Sequence, residues 1–478
     1  GIYLVPALGG APRLVTRVPE QSAVTQGLAY AAAPLTGLSW APDGTRLAFA
    51  TDGGSLYVVD LGTKVVTELD VPGEAHSPAW SPDGSEIAFV SGNSPFVFGM
   101  VYFANVGTSS LWVVPIDGGP PRAVTDNTAS NGSPQWLPGG KMLYFVSDRG
   151  GSRDVYRMSL NGSSEPVRLT TGLAAQTITL SPDGRHLAYN RLSSSTNIAS
   201  LPVPTSASMS AGAIRDVTTG RQTIEQVDVS RDGRWLVFDS DRSGNPDLYK
   251  LAVSGGEAIQ LTTGPDADFS PLWSADGLQI AFHRLHAGRR TLHTIRVDGT
   301  GLTARPSGAG GALDPSWRPD GMALVAESRD PAAVTDNFLV ISLDLLDTVP
   351  RRLKVIWDFA DWSPLGDVIA FHAVDGIRIV APEGGESQLL VSNAEDGADA
   401  FYTAWSPDGR TLYYLARGGD GWMIRAMPRA GGKSRVIARF TDPSRQPLGY
   451  GFSTDGRMFY LTIGSHESDV WVLELTPR

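Results

Sequence analysis

Apolar and polar residues alternate along this chain in short runs, and turn residues interrupt them about every ten positions. The segment "FSPLWSADGLQIAF" (269–282) shows the unit clearly. A short apolar strand runs into an Asp-Gly turn, and an alternating strand leaves it, which is a hairpin signal. In "LVFDSDRSGNPDLYKLAVSGGEAIQLTTG" (236–264) two more strands follow, set off by the turns "DRSGN" and "SGG". No stretch of about 12 residues carries a 3.6-residue apolar period, so no amphipathic helix is predicted. The pattern predicts an all-β protein.

The unit repeats. Turn glycines stand at Gly44, Gly84, Gly140, Gly184, Gly233, Gly277, Gly321, Gly366, Gly409 and Gly456, at intervals of 40, 56, 44, 49, 44, 44, 45, 43 and 47 residues. Four short antiparallel strands recurring at about this period predict β-propeller blades, roughly ten of them. A lone blade leaves both faces exposed, so neighbouring blades must stack and cover each other. The recurring Trp before the turn (40, 80, 136, 273, 317, 362 and 405) is then a shared core position between blades. The turn Asp is expected to cap its own backbone, and the Gly to supply positive φ.

Composition narrows the partners. The 478 residues carry a formal charge of −11, with 12 Trp and no Cys. An acidic chain without a basic face is a poor partner for nucleic acid. Lack of cysteine excludes disulfides, thiolate metal sites and a cysteine nucleophile. No apolar run is long enough for a membrane-spanning helix. The sequence opens on Gly1 with no visible signal peptide, which reads as a processed protein or part of a longer one, with room for a tether on a preceding segment.

"SPDG..IAFVS…SLWVVPIDGGPPRAVT" (81–125) resembles the repeat of the TolB-like β-propellers, relatives of the WD-repeat family, and similar repeats cover nearly the whole chain. "FDSDRSGNPDLYKL" and the closing "FTDPSRQPLGYGFSTDGRMFYLTIGSHESDVWVLEL" are similar to the extracytoplasmic propeller regions of membrane-anchored bacterial Ser/Thr protein kinases. The kinase motifs themselves are not in this sequence. The resemblance implies a periplasmic or extracellular sensor or binding module for a protein, peptide or glycan.

How the blades close has two readings. "IYLVPALGGAPRLVT" (2–16) looks like the third and fourth strands of a blade, and "DVWVLEL" (469–475) like a third strand. A single ring of ten blades would leave one strand over. The preferred division puts an incomplete propeller at 1–205 and a six-bladed one at 214–478, separated by the Ser/Ala/Pro-rich "LPVPTSASMSAGA" (201–213). In it "AIRDVTT" (213–219) supplies a strand that the last blade lacks.

Candidate chemistry is sparse. Asp239, Asp241 and Ser243 alternate like the start of a calcium loop, but no bidentate Glu follows, so a plain turn is favoured. His283 and His286 sit three apart on a strand and its turn and face different ways, which suits no metal motif. No nucleophile elbow occurs. The expectation is therefore no catalytic, metal or cofactor residues, and no enzyme activity within these residues. A hydrolase-associated propeller and a structural subunit are the alternatives. The rhythm breaks most at the 56-residue interval, where "GNSPFVFGMVYFANVG" (92–107) interrupts a blade. Phe96, Phe98, Met100, Tyr102 and Phe103 crowd this insertion, making it the candidate partner surface, or else a cover for its own blade.

Overall fold

The computed structural model describes residues 2–5, 11–17, 35–51, 54–93, 107–161, 165–204, 209–210, 214–286, 289–308, 311–328, 338–343, 349–353 and 358–475. Apart from one turn of helix at Asn393–Asp396, the regular structure among the described residues is antiparallel β-sheet joined by tight turns, with a single parallel strand addition. The all-β expectation holds.

Two compact units emerge, and they are not consecutive stretches of chain. The first comprises Gly1–Ser193 and Glu467–Arg478, the second Ser194–His466. Two 17-residue strands, His186–Pro202 and Met458–Glu474, each run through a boundary. This division falls at 193/194 and 466/467, not in the 205–214 linker. Residues 196–202 therefore count with the second unit and 469–475 with the first.

In the second unit, five four-stranded sets of consecutive strands span 227–260, 267–304, 312–353, 358–392 and 398–439. A sixth sheet is composite. Its inner strands are Gln446–Thr454 and the start of Met458–Glu474, and its outer strands are the end of His186–Pro202 and Arg215–Asp216. The innermost strands contact one another in sequence, and the sixth returns to the first, so the ring is closed. Gly464 is where the composite strands meet most tightly. A Cβ there would lie 2.2 Å from the Ser195 carbonyl oxygen.

The first unit holds three consecutive four-stranded sheets (35–69, 75–123 and 131–168) and a last sheet built from Ala175–Leu180, the start of His186–Pro202 and the end of Met458–Glu474. A hairpin of Ile2–Leu4 and Arg13–Thr16 lays Ile2 and Val15 against Leu47, Phe49, Tyr57 and Val59 of the first sheet.

The repeated residues do the structural work the pattern implies. All ten turn glycines have φ between +65° and +83°, where a side chain is strained. The turn Asp carboxylates accept the N–H two residues on, as Asp83 does from Ser85 (3.1 Å) and Asp232 from Arg234 (3.0 Å). The Ser81 and Ser230 hydroxyls first, and then these N–H groups, hold the two carboxyls below the usual range. Six of the seven Trp rings bury between sheets, Trp40 being 51% exposed, and in three the indole N–H reaches back one blade. Trp136 donates to the Ala79 carbonyl (2.9 Å), Trp317 to Leu272 (3.0 Å) and Trp405 to Asp361 (3.2 Å). Behind them Phe89, Phe145, Phe238, Phe282 and Phe371 are fully buried at one position of the second strand.

Candidate functional site

The innermost strands share an irregularity that the repeat does not advertise. All but Val227–Val229 shift register at a bulge three residues or so before the Trp position. At the bulge Ser77, Ser133, Ser270, Asp314 and Phe359 take left-handed φ of 47–57° without being glycine. Such residues cost about 1 kcal/mol or more each, and they persist where the surroundings over-determine them.

In the second unit the bracing is visible. Asp239, on the second strand of one blade, accepts the N–H of the bulge residue Ser270 in the next (3.1 Å). Its other oxygen takes the N–H groups of Glu225 (2.7 Å) and Gln226 (3.2 Å). One blade further, His283 Nδ1 accepts the N–H of the bulge residue Asp314 (3.4 Å). Two of the residues the sequence raised as possible metal ligands, Asp239 and His283, are thus clamps on the inner wall. Burial pushes the Asp239 carboxyl up to about 7. Asp241 accepts the Thr223 N–H (2.6 Å), Ser243 donates to Asp247 (3.1 Å), and His286 pairs with Asp266 (2.6 Å) at the surface. Among the described residues no group of three metal-ligating side chains forms.

The braced wall encloses a cavity of about 260 Å³ along the axis of the second unit, with residues from all six blades in its lining. One mouth carries the bulge residues Ser270, Asp314, Phe359 and Tyr402, and the other the turn residues Arg231, Pro319, Pro364 and Asp455. Phe359 and Tyr402 meet edge to face at 4.8 Å. Between the mouths stand Asp228 and Asp361, each just before a Trp position. Asp228 is bonded into the wall. It accepts the Ser453 hydroxyl (2.6 Å), which closes the ring from last blade to first, and the N–H groups of Val229 (2.9 Å) and Trp273 (2.8 Å). Burial pushes its carboxyl up to about 6. Asp361 accepts one hydroxyl, that of Thr403, at 3.3 Å. Burial, with the charge of Asp228 added, pushes it up to about 7.

The first unit has a recess of about 580 Å³ against the same inner strands. Leu38, Trp40, Trp80, Trp136 and a row of prolines line it, and none of its lining residues is charged.

The aromatic insertion residues Phe96, Phe98, Met100, Tyr102 and Phe103 lie outside the described residues, as do 329–337. At its base, Asn93 accepts the Gly107 N–H (3.0 Å), joining the two ends of the insertion. Sequence reasoning missed the bulge ring and the channel carboxylates. The carboxylates become visible once the repeats are aligned on Trp, which places Asp228 and Asp361 at the same step.

Comparison with known proteins agrees with this architecture. The family model described as "TolB beta propeller domain" matches residues 23–212 and 206–365. A protein TolB homolog of Chlorobium chlorochromatii is 29% identical over 138 residues, which is 28% of this chain and 28% of that protein. An uncharacterized protein of Agrobacterium fabrum is 27% identical over 165 residues, 34% of this chain and 39% of that protein. The matches thus span well under half of these relatives. Among solved structures, a putative TolB from Agrobacterium tumefaciens covers 60% of this chain and 87% of its own, at 21% identity and a TM-score of 0.22. With its repeated four-stranded sheets and the family match over 23–365, the chain belongs to the TolB β-propeller domain family.

Proposed function

We propose that the chain is a periplasmic or extracellular recognition module that binds a protein or peptide without transforming it, and that the channel of the second unit is the binding site. The observation that carries this reading is how the channel's polar groups are used. Asp228, Asp239 and His283 hold the wall, and Phe359, Tyr402, Asp361 and Arg231 line the cavity that a ligand would enter. Rigid backbone with aromatic and charged groups at a concave mouth suits recognition of a side chain or chain terminus. Kinship with TolB-like propellers supports both the location and a protein partner.

Peptides selected from a displayed random library on the whole chain test it. Bound peptides are expected to lose affinity at least about tenfold on Tyr402→Ala and on Asp361→Lys. Binders indifferent to both substitutions, or selection of glycans alone on an array, would sink the peptide reading.

A further inference from the structure

We propose that the outer edge of the last sheet of the first unit, residues 469–474, is a strand-addition site for an extended segment of a partner polypeptide carrying the sequence Arg or Gln, then Leu or Val, then Thr. The site lies in the first unit and is independent of the channel proposed above.

Every set of four consecutive strands has its third strand covered by a fourth. The composite sheet of the second unit obeys the same rule, with Arg215–Asp216 lying on Ala199 and Ser200. The last sheet of the first unit does not. Its third strand lies beside His186–Pro202 on one edge, with the Leu475 N–H donating to the Arg185 carbonyl (2.7 Å). Among the described residues, nothing pairs with its other edge. On this strand Val470, Trp471 and Val472 are 75%, 51% and 64% exposed. The matching residues of complete sheets are not. Val155 is 1% exposed, Tyr156 3%, Leu248 0% and Tyr249 4%. An open edge with three adjoining apolar side chains is a template for another strand, and proteins ordinarily blunt such edges with Lys or Pro. Neither residue occurs between Asp469 and Glu474.

The other sheets show what such an edge accepts. At five of them one residue of the third strand, its second residue in three of them, makes the same pair of bonds. Its N–H donates to a Thr or Ser hydroxyl of the fourth strand: Leu111 to Thr125, Val155 to Thr170, Leu248 to Thr262 and Ile198 to Thr218 at 2.9 Å, and Leu292 to Ser307 at 2.8 Å. Its carbonyl accepts an N–H from the fourth strand, in four cases from the residue just before the Thr: Val124, Leu169, Leu261 and Val217. Where the third strand opens with Asp, the fourth-strand residue two before the Thr reaches that carboxylate. Arg168 bonds Asp154 (2.5 Å), and Gln260 bonds Asp247 (3.0 Å). Asp469-Val470-Trp471 repeats Asp154-Val155-Tyr156 and Asp247-Leu248-Tyr249 residue for residue in kind. The open edge therefore offers the same N–H, carbonyl and carboxylate, and an Arg-Leu-Thr segment fits all three.

Outer edges of this protein also accept segments from elsewhere. In the second unit, Met209–Ser210 adds as a fifth strand, parallel to Arg435–Arg439, with Met209 opposite Ala438. Strand addition on an outer edge is thus already realised once within the molecule.

The test uses the whole chain and a capped synthetic peptide of sequence EPVRLTT, the segment 165–171 supplied in trans. Saturable binding is expected, with a blue shift of indole emission that is lost in Trp471→Phe, and with slowed hydrogen exchange over 469–474. The peptide with its first Thr replaced by Val should bind about tenfold more weakly. Val470→Pro, which removes the N–H that meets the Thr, should abolish binding while circular dichroism stays that of the parent. If that variant misfolds, the peptide series still decides. Three results would overturn the proposal: no saturable binding up to millimolar peptide, binding without protection of 469–474, or amides in 469–474 already protected before peptide is added.

Discussion

The two units build their inner walls from the same repeat but fill two of its positions differently. Just before the Trp position, the first unit has Ser39, Ala79, Gln135 and Thr179, none of them charged, while the second places Asp228 and Asp361 there. One step after the second-strand aromatic position, filled by Ala326 in one blade, the first unit has Ala50, Val90 and Val146, all buried, while the second buries Asp239, His283, Glu327 and His372. The turns, the Trp and the aromatic are common to both. The scaffold is therefore insensitive to these two positions, and each unit is free to spend them. One has an uncharged recess, the other a channel holding the carboxylates of Asp228 and Asp361, with a wall clamped from behind by ionisable groups. Burying such groups is tolerated only where hydrogen bonds replace water.

The largest expected effect breaks what the units share. Phe145→Ala and Phe238→Ala remove the same fully buried ring from one unit each. Each should cost about 3–5 kcal/mol in urea unfolding, with the loss confined to the unit carrying the substitution. Two losses differing severalfold would mean that the shared position is not energetically shared.

A smaller effect isolates the clamp. Asp239→Ala strips the acceptor from the N–H groups of Ser270, Glu225 and Gln226 and should cost about 1–3 kcal/mol. Val146→Ala, at the matching apolar position, loses only methyl burial, about 1 kcal/mol or somewhat more. Hydrogen exchange at Ser270 reports the first change directly. A bulge still protected in the Asp239 variant would show that the clamp is dispensable.

The smallest concerns pH. Asp361 is raised from the ordinary 3.8 to about 7, so the folded state holds its proton more tightly than the unfolded chain does. Its contribution is therefore full below the unfolded value and is lost as pH rises through about 7. Asn mimics the protonated form. Asp361→Asn should gain on the parent by on the order of 1 kcal/mol between about pH 5 and pH 8, after allowance for solvent at the channel. His372, pushed down to about 4 by burial, has the opposite slope, full above the ordinary 6.5 and lost as pH falls through 4. It is present in both proteins and cancels in the difference. A pH-independent gap between them would remove Asp361 from the titrating set.

Much of the fold was legible because its signals are local. An Asp-Gly turn needs only its own residues, and a Trp every 45 or so positions announces the stacking. The bulges were not legible, since Ser270, Asp314, Phe359 and Tyr402 share a backbone position but no chemistry. Their conformation is imposed from the neighbouring blade, which a linear reading does not see. Asp239 and His283 drew notice as ionisable residues in strands, and their role became clear only when the Ser270 and Asp314 amides were found facing them. The boundary between units was hidden for a related reason. The Ser/Ala/Pro-rich stretch reads as a linker, yet the division falls before it at 193/194, and Met209–Ser210 within it pairs as a strand. His186–Pro202 and Met458–Glu474 carry no breaker where the chain changes unit.

Those two long strands have a consequence for biosynthesis. The second unit is nested in the first like a clause within a sentence, so the ribosome must finish all of it before residues 467–475 can complete the sheet begun at Ala175. The second unit, too, waits for its opening residues near 196 to meet strands made some 250 positions later. Folding of both closures is therefore deferred to the end of synthesis, a late and long-range step during which unpaired edges stand open. A break in the chain between 205 and 214, where a linker would invite one, would cut into the closing sheet of the second unit, with its third strand on one side and its fourth on the other.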